Sequence, residues 1–318
     1  LNSNGFAVRM KYRAVLGLAW LLFSVPLVGL AQPQGPSASG TLGAVGSDTM
    51  AGLMLRWGEA LTTQYPQINV QFQASGSASA PPALLAGTTR IGPMSRRMTQ
   101  AERDAFIERY GYPPLELRVA RDALIVIVHR HNPLAAISLE DVDAVFSTTR
   151  ACGSPHSITR WETLTQDDTA PRGRIALHGR NITSGTYGLF RQRVLCDGEF
   201  RPDISEYMGA SAVVAAVGES YSAMGYSGYN HLTPSIKALA LTTPEGNAVP
   251  PSETAIQSGD YPLSRYLYVY VNLPPGKSLP SPEQAFLDLI LSAEGQLITR
   301  ASGFVPLPLD DLEAQRPW

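Results

Sequence analysis

Six consecutive apolar residues, Ala123-Leu124-Ile125-Val126-Ile127-Val128, constrain the fold of this chain more than any other stretch. A run without polar alternation does not suit a strand with one wet face. It reads as a central strand, within a segment from Leu115 to His129, covered on both sides. The surrounding sequence supplies the covering elements. Leu53, Trp57, Ala60 and Leu61 recur at helical spacing over Met50–Tyr65, and Ile68, Val70 and Phe72 alternate as a half-buried strand does. Pro81-Pro82 opens a short helix, and Thr99-x-x-Glu102 forms a capping box for a helix reaching Tyr110. Ser138 caps a helix carrying Leu139, Val142, Val145 and Phe146. Further on, Arg174–His178, Ala223–Tyr226, Ile236–Leu241 and Arg265–Asn272 read as strands. Thr186–Leu195, Ser211–Glu219 and Pro282–Ala301 read as helices, the last interrupted near Gly295. Thr243–Tyr261 reads as a polar surface loop. Strands alternating with helices define an α/β fold. No repeat and no sharp compositional boundary divides the chain, so two lobes would have to be built from discontinuous segments.

The first residues read as an export signal. Met10-Lys11-Tyr12-Arg13 is a short basic segment, Ala14–Leu30 carries no charge, and Gly29-Leu30-Ala31 puts small residues where a signal peptidase cuts, after Ala31. Leu1–Arg9 reads as an upstream extension and Gln32–Gly40 as a flexible leader. A retained membrane anchor is the alternative, but the run is short and Pro26 interrupts it. In an exported protein, two cysteines, Cys152 and Cys196, are expected to form one disulfide rather than remain free thiols. The 318 residues carry 25 basic and 27 acidic side chains, a net charge of -2, which argues against a nucleic-acid partner.

Three strand–loop–helix junctions carry the chemistry. Gly179-Arg180-Asn181-Ile182-Thr183-Ser184-Gly185-Thr186 precedes an apolar helical stretch. A helix start offers free N–H groups and the positive end of the dipole; Gly185 admits an anion close to the backbone, and Arg180 supplies a planar fork for tetrahedral oxyanions. Ordinary N-capping beside a surface arginine explains the same residues. The junctions at Gly43–Thr49 and Ser75–Ser79 repeat the small, hydroxylated pattern, and Gly92–Arg97 adds Ser95 and two cations. Loops of this kind converge at strand ends in α/β sheets, where ligands bind. A Walker loop is excluded by spacing and by the missing lysine. His129-Arg130-His131 lacks the further ligands a metal needs, and no hydrolase signature occurs, so neither a metal nor another cofactor is expected.

Over Thr41–Leu309 the chain resembles the substrate-binding proteins of phosphate ABC transporters, the PstS-like family. The resemblance rests on GSDTM, SGSAS, GPMSRRM, LEDVDAVFS with a later Trp161, GRNITSGTYGLF, AMGYSGY, YPLSRYLYVYVN and EGQLITRASGFVPL, in that order. It implies a two-lobed periplasmic-binding-protein fold (type II-like) with lobes joined by crossing hinge strands: 41–118 plus 239–318 as lobe one and 119–238 as lobe two. It implies phosphate contacts from Asp48, Thr49, Ser77, Ser95, Arg180, Ser184, Gly185 and Thr186. It also implies a monomeric periplasmic protein, not an enzyme, that delivers inorganic phosphate to a membrane ABC permease. A phosphate sensor or adhesin on the same fold, or a weak phosphatase, are the alternatives.

Two positions depart from the family pattern. An aspartate is usual at Ser95 and a hydroxyl at Asp48, so the two look exchanged. Arg90 stands where an acidic residue is common and reads as a surface change. Protonated phosphate can donate a hydrogen bond and sulfate at neutral pH cannot, so Asp48 is expected to tell them apart, unless it only caps its helix.

Overall fold

The structure, a computed structural model, describes residues 38–318. The export signal, its cleavage after Ala31 and most of the leader lie outside the described residues. In chain order the first part runs β1 (Gly40–Val45), α1 (Ala51–Gln64), β2 (Ile68–Gln73), α2 (Ala80–Ala86), β3 (Ile91–Met94) and α3 (Gln100–Tyr110). The long strand β4 (Leu115–His129) follows. Then come β5 (Ala136–Ser138), α4 (Leu139–Phe146), α5 (Trp161–Leu164), β6 (Ala176–Arg180), α6 (Gly185–Arg193), β7 (Ser205–Tyr207), α7 (Ala210–Glu219) and β8 (Ala223–Gly228). After these lie β9 (Ile236–Ala238), β10 (Ala240–Thr242), β11 (Ala248–Val249) and α8 (Glu253–Ser258). The chain closes with β12 (Ser264–Val271), α9 (Ser281–Ile290), α10 (Ala293–Ala301) and α11 (Leu309–Glu313).

The main sheet orders its strands β2-β1-β3-β12-β4-β8-β6-β7, with β9 also on β4. β4 is shared by two halves. Its first part, Leu115–Ala123, pairs antiparallel with β12, and its second, Leu124–Val128, pairs with β8. The apolar run is therefore an interior strand of the second half, between β8 and the short β9, and is fully buried as the pattern requires. Each half has its own core. One gathers Leu42, Leu53, Trp57, Leu267, Val269 and Phe286; the other gathers Leu124–Val128 with Val142, Phe146, Trp161, Phe190 and Val213. This is the two-lobed α/β architecture, with β4 and β12 passing between lobes.

Helix α1 buries Leu53, Met54, Trp57 and Leu61 at the spacing that predicts it. The Trp57 indole N–H donates to the Gly295 carbonyl at 3.0 Å, pinning α1 to α10. Trp57→Ala would cost about 3–5 kcal/mol through the cavity it leaves. Thr99 and Glu102 form the expected reciprocal cap. Cys152 and Cys196 are bridged across a separation of 44 residues, a loop whose closure stabilises by roughly 4 kcal/mol.

Two local expectations change. The C-terminal helix breaks at Leu291–Ser292, and Ser292 caps α10 by accepting from the Gly295 N–H. Gly295 itself lies within the first turn, where a Cβ would fall 2.1 Å from the Leu289 carbonyl. The break is thus a new cap, with the glycine allowing close packing beneath it. Thr243–Tyr261 is not a loose surface loop: it contains β11 and α8 and buries Ile256 and Tyr261 completely. Together with Leu239, Leu241 and Leu263, these side chains enter the core around Leu124–Val128.

Candidate functional site

The three junctions meet. β1 delivers Ser47–Thr49 ahead of α1, β2 delivers Gly76–Ser79 ahead of α2, and Ser95 follows the last residue of β3. From the other half, β6 ends at Arg180, and Ser184–Thr186 open α6. The Thr49 and Thr186 hydroxyls lie 3.2 Å apart, and the Ala78 N–H donates to the Thr183 carbonyl at 3.1 Å. Ser77 Oγ accepts the Ser95 N–H at 2.9 Å and lies 3.2 Å from Ser95 Oγ. Both hydroxyls crowd Gly185, where a Cβ would fall 2.3 Å from Ser77 Oγ and 2.5 Å from Ser95 Oγ. Gly76, at φ 101°, allows the equally close approach to Thr183. Asp48, Thr49, Ser77, Ser95, Arg180, Ser184, Gly185 and Thr186 thus form one cradle closed across the two lobes.

Arg180 is 1% exposed. Its Nη2 donates to Asp48 Oδ2 at 2.7 Å and to the Met208 carbonyl at 2.5 Å, and its Nε donates to the Tyr207 carbonyl at 3.3 Å. Its main-chain N–H is received by the Tyr226 hydroxyl at 3.1 Å, and burial pushes that phenol up, so it stays protonated. After these bonds Arg180 Nη1 and Asp48 Oδ1 remain buried without a partner. One is a donor and the other an acceptor, and buried polar atoms of this kind are costly unless something bonds them.

Asp48 does not cap α1, whose N-cap, Met50, makes no side-chain bond; its carboxylate is committed to Arg180 instead. Ser184 does cap α6, its Oγ accepting from the Thr186 and Tyr187 N–H groups. A hydroxyl that accepts in this way still has its own proton to donate.

A second ion pair, not singled out from the sequence, adjoins the first. Arg265 on β12 donates through Nε and Nη2 to Asp122 Oδ2 at 2.9 and 2.6 Å, and through Nη1 to Thr186 Oγ1 at 3.1 Å. Asp122 is 1% exposed and Arg265 7%, and Asp122 Oδ1 has no partner. Ser47 Oγ, Ser227 Oγ and His231 Nε2 are also buried without partners. Burial holds the His231 imidazole below its ordinary value, against the opposing pull of Asp122 and Asp48. The available signal was a charge in an otherwise apolar strand: Asp122 adjoins the central run, and Arg265 opens the aromatic strand β12.

A match to the PBP superfamily domain covers residues 31–294, and the chain belongs to this superfamily of two-lobed binding proteins. Within it, the chain is 46% identical over 271 residues to the phosphate-binding protein PstS of Pseudomonas aeruginosa, covering 85% of this chain and 84% of that relative. It is a member of the PstS family. The protein SphX of Synechococcus elongatus is 27% identical over 269 residues, covering 83% of this chain and 77% of that relative. A Clostridium perfringens structure described as a putative phosphate ABC transporter substrate-binding protein with bound phosphate superposes with a TM-score of 0.70 at 22% identity, covering 85% of this chain and 100% of the other. An ABC-type phosphate transport receptor from Vibrio cholerae gives 0.67 at 20% identity, with 84% and 100% covered. At such identities the superpositions speak to the fold.

Proposed function

We propose that this chain captures inorganic phosphate between its two lobes, in the cradle of Asp48, Thr49, Ser77, Ser95, Arg180, Ser184, Gly185 and Thr186, and delivers it to an ABC permease. One observation carries the reading. The Arg180–Asp48 pair keeps one buried donor, Nη1, and one buried acceptor, Oδ1, without partners. A protonated tetrahedral oxyanion satisfies both at once, by accepting from the guanidinium and donating its proton to the carboxylate. Sulfate satisfies only the donor and sets a like charge against Asp48, which is unfavourable in a buried site. This supports Asp48 as the discriminating residue, doing from the first loop what the family usually does from the position of Ser95.

The chain acts as a receptor without catalysis, exported to the periplasm with its signal removed after Ala31. The core memberships support a revised division of the lobes. The first passage falls near Ala120–Leu124 on β4, and the second falls near Leu263–Ser264 rather than at 239. Calorimetric titration of wild type and Asp48→Asn with phosphate and sulfate tests the reading. Wild type should bind phosphate and ignore sulfate, and the variant should lose most of that preference. An unchanged preference removes Asp48 from the role. The absence of any phosphate-induced rise in melting temperature at millimolar phosphate would overturn the function itself.

A further inference from the structure

Beside the cradle runs a groove of about 810 Å³, a volume typical of small-molecule sites. Its walls come from both lobes and from the strands between them: Arg96 and Arg97 after β3, Arg121 on β4, Arg193 at the end of α6, and Ser264 and Tyr266 on β12. Six arginines line it against a single carboxylate, Asp197. Four of the six have acidic partners: Arg96 with Glu102, Arg97 with Glu116, Arg191 with Glu199 and Arg265 with Asp122. Arg121 and Arg193 make no ion pair among the described residues. Neutral groups hold them in place instead. Arg121 donates to the Ile256 carbonyl at 3.1 Å and to the Tyr266 hydroxyl at 2.6 Å, and Arg193 donates to the Ser264 carbonyl at 3.2 Å. Ser264, whose carbonyl receives Arg193, has a buried Oγ with no partner.

Fixed guanidiniums without counter-charges, together with an unpartnered hydroxyl, form a set of donors for an anion. The tyrosines narrow its class. The Tyr266 ring lies 4.8 Å from the Arg118 guanidinium and 4.5 Å from that of Arg121. Tyr187 stacks on Phe200 and Tyr268 on Tyr270. With its rings engaged by neighbours, the groove offers charge and hydroxyls rather than a platform for a base. A single orthophosphate would fill only a small part of a groove of this volume. A chain of linked phosphates places charge along its whole length.

We propose that this groove, which adjoins the cradle and shares Ser184 with it, is a second phosphoanion site that takes a short linear polyphosphate. The proposal does not depend on what the cradle holds. Because the walls come from both lobes, a bound chain ties the lobes together.

The probe is tripolyphosphate, titrated by calorimetry into protein already saturated with millimolar phosphate. The expected result is binding at one site per chain that added phosphate does not displace. Raising salt from about 50 to 500 mM should weaken it roughly tenfold, as for contacts made through exposed charges. Arg121→Gln with Arg193→Gln should weaken it by about tenfold or more while orthophosphate affinity stays within about twofold, since each exchange removes a charge-assisted contact. Arg193→Gln alone changes an exposed side chain, so folding is preserved; it should weaken binding by roughly threefold on the same grounds. Tripolyphosphate competing with orthophosphate for one site would overturn the proposal. So would unchanged affinity in both variants, or ATP binding more tightly than tripolyphosphate, which would mean that a base is read.

Discussion

The cradle and the groove lie side by side, and both are rich in arginine, but their charges are arranged in opposite ways. In the cradle Arg180 has its own carboxylate, Asp48, and Arg265, where cradle and groove adjoin, has Asp122; the formal charges cancel in a buried setting. Attraction to an anion as such is weak there, and choice rests on which atoms still lack a hydrogen-bond partner. In the groove, Arg121 and Arg193 keep their full charge near solvent, held by carbonyls and a tyrosine hydroxyl. Such a surface responds to charge density and is open to screening. Neutralised arginines confer specificity, and unneutralised ones confer attraction.

The comparison breaks most readily at Arg180. Arg180→Met leaves the Asp48 carboxylate without its partner, a change worth about 3–5 kcal/mol for a buried pair. Orthophosphate binding measured by calorimetry should fall by a hundredfold or more, while the groove's affinity for tripolyphosphate stays where it was. Asp48→Asn should be next. Losing a charged acceptor costs about 1.5–3 kcal/mol, and that loss should fall on phosphate alone, so the ratio of phosphate to sulfate affinity is the quantity to follow. Gly185→Ala forces Ser77 and Ser95 apart, an overpacking of about 1–3 kcal/mol. It should slow or prevent closure, seen as weaker phosphate binding with little change in the melting temperature of the phosphate-free protein.

Salt sharpens the same contrast with no substitution at all. Between about 50 and 500 mM, orthophosphate affinity should move by less than about twofold, because buried and paired charges are poorly screened. The smallest effect expected is that of pH on the phosphate-free protein. Burial depresses the His231 imidazole, so the folded form takes up its proton less readily than the unfolded form. Its contribution to stability is present above the unfolded value of about 6.5 and is lost as pH falls below it. The decline in melting temperature on acidification should be shallower in His231→Gln. It should not vanish, because burial also depresses His178 and His129.

Periodicity made much of the frame legible. Leu53, Trp57 and Leu61 announce α1, the unbroken apolar run announces the shared strand, and Thr99 with Glu102 announces α3, because each of these signals is local. The cradle was legible as loops and hydroxyls. What could not be read was pairing over distance. Asp48 at a helix entrance fits a cap as well as an ion pair, and its partner lies 132 residues away. Asp122 and Arg265 are 143 residues apart, and each stands at the margin of an apolar strand, where a charge passes for a strand end. The segment from Thr243 to Tyr261 misled for a related reason: its polar residues outnumber the two, Ile256 and Tyr261, that anchor it in a core assembled from elsewhere.

The position of β12 between β3 and β4 bears on how the molecule is made. The chain lays down both flanking strands early and supplies the strand between them only at Ser264–Val271. Two of the helices that complete the first core, α9 and α10, come later still. During synthesis, the N-terminal segment therefore emerges with a gap in its sheet that only the end of the chain can fill. Contacts this distant in sequence fold slowly. A nascent chain thus cannot close its first core until it is nearly complete, and that half stays open while most residues of the second core are already in hand.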